Sequence, residues 1–189
     1  MERTKCVPLR VVLSFCLLAV GPAHAQTFTW SPIDCAKSSI VLDGITKCQE
    51  SNSYAGSDGR SDYHLQTAAF TTATERVYVF LQKPRVELET GGIAVPDEAV
   101  REKYLSKPSA DAGKSGRNLS PTMRMNGGYA KTYALEGGWQ CFSYSKDAPP
   151  LGRSNGVAYY LVGYVCAKTP QVQTADTINA FLQKLSVRR

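Results

Sequence analysis

Three runs decide the fold: Y129-AKTYA-L135, W139-QCFSY-S145 and V157-AYYLVGYVC-A167. Each is dense in aromatic and β-branched residues, which suit a pleated, half-buried surface. Gly127-Gly128 and Gly137-Gly138 punctuate the first two, and Pro149-Pro150 interrupts the connection before the third. The natural arrangement is a three-strand antiparallel meander.

The same signals recur upstream. Residues 63–70 and 77–81 are separated by a threonine-rich turn and read as a hairpin. Val77 to Leu81 is apolar without a break, as expected of a central strand covered on both faces. After the last strand, Ile178, Phe181, Leu182 and Leu185 recur at helical spacing, with Thr174 placed to cap the helix and Asp176 in its first turn. A second, shorter helix is expected from Pro96 to just before Pro108, with Asp97 and Arg101 pairing one turn apart and Val100 and Tyr104 forming its apolar side. Residues 106–126 and Ser51 to Asp62 are polar and rich in turn formers, and read as exposed loops. Strands in runs, flanked by helices, argue an α+β fold. The expectation is an antiparallel β-sheet of about five or six strands, with the C-terminal amphipathic helix packed on one face.

At the other end of the chain, Arg3, Lys5 and Arg10 precede the apolar run Val11 to Val20 and the small-residue site Ala23-His24-Ala25. This is the pattern of a cleavable bacterial signal peptide over residues 1–25, leaving residues 26–189 as a single disulfide-stabilised domain. A run of about ten apolar residues is shorter than the roughly twenty needed to span a bilayer, so no stable membrane insertion is expected after cleavage. The expected location is the periplasm or the extracellular space.

An oxidising compartment changes the meaning of Cys35, Cys48, Cys141 and Cys166. Four cysteines allow three pairings. Cys141 and Cys166 fall on strands expected to be antiparallel neighbours, within disulfide reach, which leaves Cys35 and Cys48 to close a local loop. No Cys-x-x-Cys occurs, and His64 is the one histidine beyond residue 25, so neither a redox pair nor a zinc cluster is expected.

The chain carries a formal +6, with 22 Lys+Arg against 16 Asp+Glu; without residues 1–25 these become 19 and 15. That balance is mildly basic and lacks a dense cationic run, so nucleic acid is not an expected partner. Gly113-Lys114-Ser115 resembles the end of a phosphate-binding loop, but Pro108 occupies the position of its first glycine and no strand leads into it. No cofactor or metal is expected.

Two clusters carry functional expectations. Asp62 and His64 lie two apart on an expected strand and so on one face, where the carboxylate could orient the imidazole for acid–base work, which is the basis of a small periplasmic hydrolase as an alternative. The final meander is rich in aromatics, and Phe142, Tyr144, Tyr160 and Tyr164 are the expected exposed platform for an unknown protein or envelope polymer. An exported, noncatalytic binding protein is therefore the leading expectation. Alternatives are the hydrolase and a structural or inhibitory secreted protein acting through residues 106–126.

Overall fold

A computed structural model describes residues 29–55, 61–84, 93–94, 98–111, 117–148, 156–168 and 173–188. The expected signal segment and the Gly113-Lys114-Ser115 run lie outside the described residues. So do Pro96 and Asp97, and with them the start expected for the first helix.

The strands are β1 (Ser31–Ile33), β2 (Ile40–Val41), β3 (Lys47–Ala55), β4 (Ser61–Thr71), β5 (Glu75–Pro84), β6 (Ile93–Ala94), β7 (Met123–Met125), β8 (Gly128–Leu135), β9 (Trp139–Asp147), β10 (Gly156–Val157), β11 (Tyr160–Lys168) and β12 (Ser186–Val187). The helices are α1 (Glu98–Asp111) and α2 (Ala175–Lys184). Eight strands form one antiparallel sheet in the order β1-β3-β4-β5-β11-β9-β8-β7. The fold is α+β, and its sheet is larger than the five or six strands expected. The excess comes from β3, a mostly polar strand of nine residues, and from the three-residue edge strands β1 and β7, none of which carries a sustained hydrophobic signal.

Two meanders meet in the middle of this sheet. One advances from β1 to β5; the chain then passes to the far edge and returns through β7, β8, β9 and β11, closing against β5. The β8-β9-β11 meander and the β4-β5 hairpin match the expected strands.

One sheet face carries Val77, Val79 and Leu81 of β5, Leu161 and Val165 of β11, and Phe142 and Tyr144 of β9, all buried. Helix α2 covers it with Ile178 and Leu182, and Phe181 packs its ring 5.5 Å from Phe142 and 5.2 Å from Tyr144. Each such aliphatic side chain contributes about 1.5–3 kcal/mol by leaving water. Thr174 caps α2 as expected, its hydroxyl accepting from the Thr177 amide at 3.3 Å. At the other end, the Lys146 ammonium donates to the carbonyls of Leu182 and Leu185, both at 2.6 Å, where the helix leaves acceptors unused. Partial burial holds that ammonium below its ordinary pKa.

Helix α1 lies on the opposite face, over β8, β9 and β11. Two expectations fail here. The helix does not stop before Pro108 but runs to Asp111, although proline has no N–H for the carbonyl one turn back. The helix is tied to the sheet near this point, where the buried Ser143 hydroxyl donates to the Leu105 carbonyl. Val100 and Tyr104 are not its buried side, since both are about 40% exposed while Leu105 is fully buried. Arg101 stacks over the Tyr129 ring, 4.0 Å from its centroid.

The expected loops are also shortened. Residues 106–111 belong to α1, β7 occupies 123–125, and Arg117 bridges to Ala134 across the intervening edge. Ser51 to Ala55 continue β3 and pair with β4, so the polar segment there is strand up to residue 55. Backbone pairing at a sheet edge needs no apolar side chain, which is why hydrophobic periodicity passes over both segments.

Candidate functional site

The face bearing α1 is incompletely covered. Because α1 packs on β8, β9 and β11, the neighbouring strand β5 presents Tyr78 and Phe80 only half-buried, while its Val77, Val79 and Leu81 are sealed beneath α2. The uninterrupted apolar run of β5 thus serves two different surroundings.

The uncovered strip is a groove of about 640 Å³. Tyr78, Phe80, Val162 and Tyr164 supply β5 and β11 side chains, Tyr133 and Leu135 come from β8, and Tyr104 and Lys107 from α1. Tyr78 and Tyr164, directly paired across β5 and β11, stack with centroids 5.6 Å apart and planes 19° from parallel. Trp30 meets Phe80 edge-on at 6.4 Å. Burial, with Tyr164 alongside, raises the pKa of the Tyr78 and Tyr133 phenols above the ordinary value.

One end of the groove is cationic. Arg76 lies at the start of β5 opposite Cys166, and its guanidinium stands 4.2 Å from the Trp139 centroid, with the Lys168 ammonium 5.4 Å from the same ring. Beneath them the Cys141–Cys166 disulfide joins directly opposed residues of β9 and β11. The second bridge, Cys35–Cys48, ties the short helical turn Cys35–Lys37 to β3. Both pairings agree with the expected ones and fit an oxidising, extracytoplasmic environment. Among the described residues, no helix is long and apolar enough to cross a membrane, and no group of three His, Cys, Asp or Glu could hold a metal ion.

The four expected platform aromatics divide between two faces. Tyr164 lines the groove. Tyr160 shares its face but is buried, with its hydroxyl 2.9 Å from the Ser145 hydroxyl and its ring 5.9 Å from that of Tyr104. Phe142 and Tyr144 point the other way, into the core under α2, each 1% exposed. The cause is register: Tyr144 opposes Gly163 and Phe142 opposes Val165, so even-numbered residues of β9 share a face with odd-numbered residues of β11. The missed groove residues Arg76, Tyr78 and Phe80 had a signal in the alternation Arg76-Val77-Tyr78-Val79-Phe80-Leu81, where bulky and aliphatic side chains occupy opposite parities.

His64 sits on β4, with Nε2 3.1 Å from a Glu50 carboxylate oxygen. Asp62 belongs to the same strand, two residues earlier, but its side chain lies outside the described residues. Register places His64 on the face carrying Gln66 and Leu81, opposite the groove.

The sequence matches no family model, and no curated protein or solved structure is similar to it.

Proposed function

We propose that this is an exported, noncatalytic protein of the periplasm or extracellular space that holds a ligand or envelope partner on the aromatic sheet face beside α1. The observation that carries this reading is the half-buried Tyr78–Tyr164 stack flooring a groove of about 640 Å³. Stacked phenols offer apolar ring edges and outer faces with polar tips, a combination suited to rings that must also be hydrogen-bonded. The groove's volume falls in the range of about 300–1,000 Å³ usual for small-molecule sites. Residues 1–25 supply the export signal in this reading, and the two disulfides suit the compartment it leads to.

The test is retention of the purified protein on washed peptidoglycan and, separately, on envelope extracts of small molecules. Tyr78→Ala and Tyr164→Ala are expected to lower retention at least about tenfold, as loss of aromatic anchors does elsewhere. Retention unchanged in both variants, with their folds intact, rejects the aromatic face as the binding surface.

A hydrolytic role for Asp62 and His64 draws support from the His64–Glu50 contact, since a carboxylate can orient an imidazole for proton transfer. Its position on the opposite face makes it separable. Ester or amide hydrolysis that His64→Ala abolishes and Tyr164→Ala leaves alone would favour the enzyme.

A further inference from the structure

The groove has a charge sign as well as a shape. Among the described side chains lining it, Arg76 and Lys107 are the charged ones, and no carboxylate accompanies them. Glu75, the acid next to Arg76, pairs with Ala167 and alternates to the other face of β5. The Arg76 guanidinium is held at one end of the groove by its stacking on Trp139. Stacking leaves the edge of a guanidinium available, and that edge is a planar fork of N–H donors matched to a carboxylate. The Tyr78–Tyr164 pair lies two residues along β5 on the same face, so a flat body lying against the phenols directs its end group toward Arg76.

Building on the binding role proposed above, we infer that the groove's occupant is a free small-molecule carboxylate with a flat aromatic or apolar body. The body rests against Tyr78 and Tyr164, and the carboxylate meets Arg76. The Tyr78 and Tyr133 phenols are neutral at physiological pH, as phenols ordinarily are, so they face an anion as donors rather than as competing negative charges.

The test compares three probes that share one ring system and differ in charge: naphthoate, naphthylmethanol and naphthylmethylammonium. Calorimetric titration of the disulfide-intact chain is expected to rank naphthoate about tenfold tighter than the alcohol, with the ammonium weakest, as a charge-assisted bond predicts. Arg76→Gln should bring naphthoate to the affinity of the alcohol, and Arg76→Lys should restore part of the preference. Equal affinities for the three probes in the wild-type chain overturn the anion assignment while leaving the groove as a binding site. Absence of probe binding, with peptidoglycan retention still dependent on Tyr164, rejects the small-molecule occupant and leaves the broader proposal standing. Polyglutamate binding more tightly than naphthoate would make the occupant an acidic polymer instead. The wild-type ranking decides the inference even if Arg76→Gln fails to fold.

Discussion

At Gly163 a single missing side chain organises the centre of the sheet. Tyr144, opposite it on β9, lays its ring across the glycine and reaches the next strand, where its hydroxyl donates to the Tyr78 carbonyl at 3.3 Å. One side chain thereby spans β9, β11 and β5. A Cβ at position 163 would stand 2.0 Å from the Tyr78 carbonyl oxygen and 2.6 Å from the Tyr144 hydroxyl oxygen. Neither atom can yield independently, since one is sheet backbone and the other belongs to a fully buried ring. Gly163→Ala is therefore expected to cost about 3 kcal/mol, the upper part of the overpacking range. Urea unfolding measures it, and a change under about 0.5 kcal/mol would contradict this account of Tyr144. The glycine was visible in the sequence as an interruption of an apolar strand. The ring that fills its place was not, because the two lie 19 residues apart and meet only through register.

Of the two helices, α1 has the weaker hydrophobic support among the described side chains, with Leu105 as its fully buried residue against Ile178 and Leu182 on α2, and it makes several polar contacts. The Lys131 ammonium, almost entirely buried on β8, donates to the Glu102 carboxylate, and the Thr122 hydroxyl donates to the same group at 2.5 Å. These contacts, Lys131 first, hold the Glu102 pKa below the ordinary carboxylate range. A carboxyl group whose pKa is lower in the folded state contributes stability above its unfolded pKa and loses it as pH falls through the folded value. Acidification below about pH 4.3 should therefore loosen α1 before the sheet. Amide protection factors across 98–111, which correct for the slower intrinsic exchange in acid, should fall steeply between pH 6 and pH 3 in the wild type. Glu102→Gln should flatten that fall, because glutamine does not titrate, and an equally steep fall in that variant would contradict the assignment. Its length was underestimated because Pro108 reads as a helix stop, whereas the contacts that hold the helix come from β8 and β9, which neither the proline nor helical periodicity records.

Over the whole molecule, the β5–β11 pairing closes the sheet between segments about eighty residues apart in sequence. Both disulfides reinforce the two sides of that closure: Cys141–Cys166 inside the second meander and Cys35–Cys48 at the start of the first. Each bridge restricts the unfolded chain, and its removal by paired Cys→Ala substitution should cost about 2–4 kcal/mol. The Cys141–Cys166 loop spans 25 residues against 13 for Cys35–Cys48, so the loop-entropy contribution to its loss is larger by about 0.6 kcal/mol. Chemical denaturation of the two double variants measures both effects. Midpoints equal to the wild type would mean that the sheet is held by its core alone.

The sequence by itself determined the α+β class, the β8-β9-β11 meander, the β4-β5 hairpin, the capped C-terminal helix and the pairing of the cysteines. These features rest on interactions between near neighbours, or on a few bulky side chains at regular spacing, and composition and periodicity record both. Only the tertiary structure decided that the sheet has eight strands and that two meanders close on β5. It also decided which tyrosines line a groove and which fill the core. Those outcomes depend on strand register, where a shift of one residue exchanges the two faces, and on which strands a weakly apolar helix happens to cover. The aromatic face foreseen in the last meander thus exists in part: Tyr164 belongs to it, and its partner is Tyr78 from a strand half the chain away.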